Sequence, residues 1–387
     1  LQKNTTNDHA LATDVVADQE TFNRLVARLA VEPLLAVDLE ADSLHHYTEK
    51  VCLIQVSTPS ETALIDPLCP IDLAQLAPVL ANPAICKIFH GADYDMRSLF
   101  RDFGIQVCNL FDTMIAAQFL GEKEVGLAAL LKKRFGVELD KRFQKADWSK
   151  RPLSPEMIEY ARKDTSLLIE LYRQLVDELQ AKGRLAWVEE ESELVAGVRA
   201  ASREGEALHL RFKGATKMKP RALAVLEELL RFRDERAKLA DVPPFKILGT
   251  ELVRELAEKQ PRTLADLTAI QTLSAKLIER YGRGILKAVA AGMAVPADRL
   301  PHFASVQRVV KSRRQEVRLK KLKEWREAKA IELGISVGIV ANNTLLEGLA
   351  DFPEENPAGA ELLAALKNWQ RTAFGAELQE LLGQEEP

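Results

Sequence analysis

The 387-residue chain has no Cys-x-x-Cys pair, no apolar run long enough for a membrane helix and no excess of positive charge. Each absence narrows what it can be. The four cysteines, Cys52, Cys69, Cys86 and Cys108, stand singly with no histidine at zinc-site spacing, which argues against a zinc ribbon or a disulfide scaffold. Buried free thiols in a reducing cytoplasm are the expectation. The run of roughly 18 to 20 apolar residues that spans a bilayer is missing. The first residues, Leu1-Gln2-Lys3-Asn4, do not lead from a basic stretch into an apolar one, so neither secretion nor a membrane anchor is expected. The formal net charge of −4 argues against a uniformly basic coat, while local basic strips remain open.

What is present is globular: 47% of the residues are hydrophobic and 28% charged, and the length suggests two or three domains in a monomer. From about Thr21 to Lys182 strands and helices mix, and after Glu189 the pattern is almost wholly helical. Leu34–Val37, Val51–Val56 and Thr62–Ile65 read as an antiparallel meander. Ile71–Leu80 reads as a helix, Lys87–Phe89 as a buried strand, and Asp93–Phe103 as a helix ended by Gly104. Helices are also expected over Met114–Leu120, Leu127–Phe135 and Ser154 to about Ala181, the last opened by a Ser-Pro-Glu cap.

Acidic residues then mark three places. Asp38 and Glu40 follow an apolar strand two residues apart, so they share a face, and two such carboxylates suit a bridging magnesium or manganese ion. Asp95 lies near a helix start, where an acid also favours the helix dipole. Tyr160 and Asp164, four apart on a helix, share a face as well. Each is also an ordinary surface feature taken alone.

Their order is more specific. Val-Asp-Leu-Glu, His-Gly-Ala-Asp-Tyr-Asp and Glu-Tyr-Ala-Arg-Lys-Asp resemble the three exonuclease motifs of the DEDD family in its tyrosine subclass. Val-Cys-Leu-Ile-Gln-Val-Ser, Leu-Phe-Asp-Thr-Met and Asp-Trp-Ser-Lys-Arg-Pro-Leu are similar to that family's RNase D branch. The resemblance implies an α/β ribonuclease H-like (DnaQ-like) mixed-sheet domain that hydrolyses RNA from the 3′ end with two divalent ions, Mg2+ or Mn2+. Asp38, Glu40 and Asp164 would hold one ion, Asp38 and Asp95 the other, and Tyr160 would orient the attacking water. His90 would touch substrate or brace the sheet end, and Trp148 would stack on a base or anchor its loop. Some relatives place Thr where this chain has Ala41, so a hydroxyl contact to the terminal nucleotide would come from elsewhere, such as Ser43, or from backbone.

The helical half repeats itself at an offset of 93 residues, pairing Phe232 with Trp325, Arg233 with Arg326 and Tyr281-Gly282 with Phe374-Gly375. The first copy resembles the HRDC domain and the second a diverged version of it, which implies two all-α bundles that hold nucleic acid near the catalytic domain. The expected layout is an exonuclease domain with a helical linker over 1–205, a first HRDC domain over 206–296 and a second over 297–387. Two basic strips could meet RNA or simply be solvated: one carries Lys213, Lys217, Lys219 and Arg221, and the other runs from Arg308 to Lys329 with Arg313, Arg314 and Lys320. The substrate implied is RNA with an accessible 3′ end, such as a tRNA precursor, in the cytoplasm. A DNA 3′-to-5′ exonuclease and a non-catalytic RNA-binding scaffold are the alternatives.

Overall fold

The structure is a computed structural model that describes residues 15–199, 205–303, 312–351 and 364–383. In chain order the first half comprises β1 (Val15–Val16), α1 (Gln19–Leu29), β2 (Leu34–Ala41), β3 (Val51–Ser57), β4 (Thr62–Ile65), α2 (Ala77–Leu80), β5 (Cys86–Phe89), α3 (Asp93–Phe103) and β6 (Leu110–Asp112). There follow α4 (Thr113–Leu120), α5 (Leu127–Phe135), α6 (Pro155–Ser166), α7 (Leu168–Ala181) and α8 (Leu185–Ala196). The strands form one mixed sheet in the order β1-β4-β3-β2-β5-β6. Strands β2, β3 and β4 make the expected antiparallel meander, whereas β5 runs parallel to β2 and β6 parallel to β5.

Alternation along β2 decides which side of the sheet carries charge. Leu35, Val37 and Leu39 enter one apolar core with Phe22, Met96 and Leu99. Asp38 and Glu40 therefore point the other way, toward the face crossed by α6. The strand runs farther than the apolar stretch suggested, so both acids lie within it, with a register shift between Glu40 and Ala41.

Two helical expectations change. Residues 71–80 form a 3-10 turn over Leu73–Leu76 before the short α2. The helix expected from Ser154 to Ala181 is two helices, broken at Leu167, whose φ of −106° and ψ of 0° leave the helical region. The break coincides with a change of core. Tyr160 and Ala161 pack with Cys52, Leu53 and Trp148, while Leu168, Leu171 and Leu175 pack with Phe111, Ala117 and Leu131.

The second half comprises α9 (Pro220–Ala240), α10 (Pro244–Ile247), α11 (Thr250–Lys259), α12 (Leu264–Thr268), α13 (Ala275–Ala294), α14 (Arg313–Leu333), α15 (Val337–Val340), α16 (Asn343–Ala350) and α17 (Asn368–Gly383). The repeat is visible residue by residue. Helices α14, α15, α16 and α17 each start 93 residues after α9, α10, α11 and α13. The edge-to-face pair Phe232–Tyr281, 6.2 Å between ring centroids, reappears as Trp325–Phe374 at 5.1 Å. The copies fare differently in packing. Contacts divide the chain into two compact units, one drawn from Leu1–Ala41, Val51–Ala200 and Val310–Pro387, the other from Asp42–Lys50 and Ala201–Val309. The first copy has its own core around Leu226, Leu256 and Ile285. Core residues of the second, including Leu322, Trp369 and Phe374, join the cluster of Phe119, Leu171 and Val188 in the exonuclease part.

Candidate active site

Helix α6 is placed by its cap and by one buried contact. The Ser154 hydroxyl accepts from the Met157 N–H at 3.3 Å, and Pro155 occupies the first turn. Thr165, fully buried, shares a hydrogen bond with Ser57 Oγ on β3 at 2.7 Å. With α6 keyed to the sheet in this way, Asp164 joins Asp38 and Glu40, and one carboxylate oxygen from each lies within 4.8 Å of the others. Tyr160, one turn earlier, is 9% exposed and hydrogen-bonds Asp164.

Asp95, on α3, stands outside the 4.8 Å group but adds its charge to it. The turn before that helix is organised by Asp112, 1% exposed, whose carboxylate accepts from the N–H groups of Gly91 at 2.9 Å, Ala92 at 2.8 Å and Met114 at 2.8 Å. Gly91 sits at φ +78°, and a Cβ there would meet the Met114 side chain at 3.3 Å, so the turn needs glycine.

The electrostatics follow from three clustered acids and the added charge of Asp95. Burial, and then the charges of Asp38, Asp164 and Asp95, push Glu40 up to about 10. Burial likewise lifts Asp38 to about 7, and burial with the Asp38 charge lifts Asp164 to about 8. Asp95 is raised by burial and then by Asp38, which places it in the same field. Burial and the neighbouring carboxylates raise the Tyr160 hydroxyl too, so it stays a neutral phenol. Oxygen donors this close, each destabilising its neighbours' charged form, fit a hard divalent cation.

Of the remaining expected residues, Trp148 is 1% exposed, with its ring covered. Its ring lies 5.9 Å from that of Tyr160, and its indole N–H donates to the Phe143 carbonyl at 3.3 Å. His90 Nδ1 shares a hydrogen bond with Thr113 Oγ1 at 2.9 Å, a brace at the sheet end, and burial lowers its pKa. Ala41 is half-buried beside the register shift in β2, and Ser43 is exposed in the segment grouped with the other unit. Lys213, Lys217 and Lys219 are exposed ahead of α9, and Arg313, Arg314 and Lys320 on α14. Arg221 is a structural residue, donating to the Met293 and Val295 carbonyls at the end of α13. Arg308 and Lys311 of the second strip lie outside the described residues.

Sequence reasoning assigned no role to three features: Asp112 and Arg151, each inside a motif that carries the resemblance, and the basic segment over 132–145. Asp112 carried a legible signal, an acid just ahead of a helix, and the basic segment a run of charge. Arg151 carried a motif but no sign of its partner, since Asp66 is 85 residues away.

A family model described as 3′-5′ exonuclease matches residues 13–180, and the HRDC domain matches residues 222–289 and 315–382. The two HRDC spans are displaced by 93 residues, the offset of the internal repeat. The chain is 32% identical over 366 residues to ribonuclease D of Gluconacetobacter diazotrophicus, covering 94% of this chain and 91% of that one. It is 34% identical over 274 residues to ribonuclease D of a Shewanella species, covering 70% of each. The crystal structure of Escherichia coli RNase D, an exoribonuclease involved in structured RNA processing, superposes with a TM-score of 0.70 at 25% identity, over 95% of this chain and 98% of that one. The catalytic core of RRP6 from Trypanosoma brucei superposes with a TM-score of 0.61 at 32% identity, over 72% and 79%.

Proposed function

The chain belongs to the ribonuclease D family, and from that premise we propose that it removes nucleotides from the 3′ end of RNA, maturing tRNA 3′ ends and other structured RNAs. The observation that carries the reading is the meeting of Asp38, Glu40 and Asp164 within 4.8 Å, beside a neutral Tyr160 and in the field of Asp95. Asp38, Glu40 and Asp164 would hold one Mg2+ or Mn2+ ion, and Asp38 with Asp95 a second. When bound, such a pair supplies charge at the attacking and leaving oxygens of an in-line phosphoryl displacement.

The chain's own residues do the positioning. Asp38 and Glu40 are fixed by the β2–β3 pairing, opposite Gln55 and Leu53. Asp164 is fixed by the Thr165–Ser57 contact, and Asp95 by the turn that Asp112 ties down. Tyr160, backed by Trp148 and Phe143, offers a phenol proton or lone pair to orient the attacking water without surrendering its own proton. A pocket of about 150 Å³ beside Tyr160 and Asp164 leaves room for the reacting group.

The test is a ladder from 3′-labelled and 5′-labelled single-stranded RNA, with and without chelator. Stepwise loss from the 3′ end that needs divalent ions, and that stops in Asp38→Asn and Asp164→Asn, is expected. Hydrolysis surviving both substitutions would overturn the reading. Faster trimming of an all-deoxy strand than of an all-ribo strand would move it to DNA, and RNA retention without cleavage would move it to a scaffold.

A further inference from the structure

Two depressions in the exonuclease unit meet at one residue. The pocket beside Tyr160 and Asp164 has Arg142 and Lys163 on its border together with Asp140, Glu156 and Glu159. A larger depression, about 870 Å³, runs along α5 past Lys123, Lys132, Lys133 and Lys141, with Glu122, Glu124 and Glu138 between them. Leu139 lines both. The acidic site therefore adjoins, at Leu139, a groove lined by four lysines and three glutamates.

The charge pattern along this wall is opposite to that of the chain. Between 132 and 145 stand Lys132, Lys133, Arg134, Lys141, Arg142 and Lys145 against Glu138 and Asp140, in a protein of net charge −4. All but Arg134 are accessible: the side chains of Lys132 and Arg142 are 67% and 72% exposed, that of Arg134 only 9%. Lys132 pairs with Glu138 at 2.7 Å and Arg142 with Asp140 at 2.5 Å. Exposed pairs of this kind are weak, so a phosphate can displace the carboxylate. Arg142 is also held in place, because its guanidinium lies 5.6 Å from the Phe143 ring centroid and that ring meets Tyr160 edge-on at 5.7 Å. A polyanionic strand entering a site of four carboxylates is repelled unless cations line its approach.

We propose that Arg142 and the lysines of α5 and the following loop form a phosphate track for the RNA strand upstream of its 3′ end, with Arg142 beside the first phosphate past the scissile one. The inference rests on the exoribonuclease reading for its direction. Cations of this type read charge and carry no sequence information, so the track accepts any single strand.

The test uses the full chain, as wild type, as Arg142→Gln and as the triple variant Lys132→Gln, Lys141→Gln, Arg142→Gln. The substrates are a ribodinucleotide, which has no phosphodiester beyond the scissile one, and a long single-stranded RNA, each over a range of salt. On the long RNA the triple variant is expected to raise KM by a larger factor than it lowers kcat. Each lost contact should flatten the slope of log affinity against log salt by about 0.7, or about 2 for the three together. The dinucleotide should respond far less than the long RNA. Equal losses on both substrates, or an unchanged salt slope, would overturn the track. Should the wild type cleave neither substrate, the exoribonuclease reading fails separately, and the track is still read from retention of the long RNA in chelator, where an unchanged slope overturns it.

Discussion

The Arg151 guanidinium donates to both carboxylate oxygens of Asp66, at 2.5 and 2.7 Å, and to the carbonyls of Cys52 and Trp148, each at 2.7 Å. Asp66 is 3% exposed. The loop that carries Trp148 is thereby fastened to the end of β4, and Trp148 and Phe143 in turn back Tyr160. Removing one partner leaves a buried charge unpaired, which typically costs about 3 to 5 kcal/mol. Arg151→Met is expected to lose stability in that range in urea unfolding, and Arg151→Lys to recover only part of it, since an ammonium cannot reproduce the planar fork. Asp66 adds a pH signature. Burial would raise its pKa, but the Arg151 hydrogen bond and the Leu68 N–H hold it below the usual carboxylate range. Its contribution is present above the unfolded value near ~3.9 and is lost as pH falls through the lower folded value.

The acidic cluster has the opposite sign. Asp38, Asp164 and Glu40 are raised to about 7, about 8 and about 10, in each case first by burial. Without a cation the folded chain keeps protons that the unfolded chain releases near ~4, so metal-free stability falls as pH rises from ~4 through those values. A cation competes with the same protons. The gain in melting temperature on adding Mg2+ or Mn2+ is therefore expected to be larger in mildly alkaline than in mildly acidic buffer. Asp38→Asn and Asp164→Asn should flatten both dependences. A metal-induced gain independent of pH would mean that these carboxylates are not the ligands.

Tyr160→Phe isolates the phenol. The ring would keep its contacts with Phe143 and Trp148, 5.7 and 5.9 Å between centroids, so the fold should be retained. Loss of one preorganised hydrogen-bonding group costs roughly a hundredfold to a thousandfold in kcat. Isothermal titration with Mn2+ should show cation affinity within a few-fold of wild type, because the carboxylates remain. A variant with full kcat would remove Tyr160 from the chemistry.

The site was legible in the sequence because its parts obey local rules. A strand sets Asp38 and Glu40 on one face, and a helix does the same for Tyr160 and Asp164. Their convergence was legible through motif order, not through spacing. What could not be read depends on distant partners. Arg151 finds Asp66 across 85 residues, and Trp148 gives no sign in its neighbourhood that it is buried. The break at Leu167 was hidden because the apolar pattern continues through it while the core it faces changes. The repeat was plain as an offset, yet two copies that match position for position differ in packing, since that is decided by what each copy meets.

The second copy meets the exonuclease core, and the consequence is testable. Trp187 of α8 stacks on Trp369 of α17 at 5.0 Å between centroids, and Phe119 meets Trp369 edge-on at 5.2 Å. Arg184, 8% exposed, donates to the Phe119 carbonyl at 2.7 Å and to the Leu333 carbonyl at 2.6 Å, closing the ends of α4 and α14 with one side chain. Glu190 accepts from the N–H groups of Asn368 and Trp369 at 2.7 and 2.8 Å, capping α17 from a helix of the catalytic part. Glu190→Ala should cost about 1 kcal/mol, the usual value of a helix N-cap. Arg184→Met should cost about 1 to 3 kcal/mol, since it strands buried carbonyls. Deleting residues 312–383 would expose Phe119 and Trp187 together, so the truncated chain is expected to aggregate or to lose exonuclease activity along with its fold. In hydrogen exchange of the intact chain, α14 and α17 should then open with the exonuclease core at a common free energy, as members of one cooperative unit do. Opening of α14 and α17 at much lower free energy than α7 and α8 would show the second copy to be an appendage and not a wall of the catalytic unit.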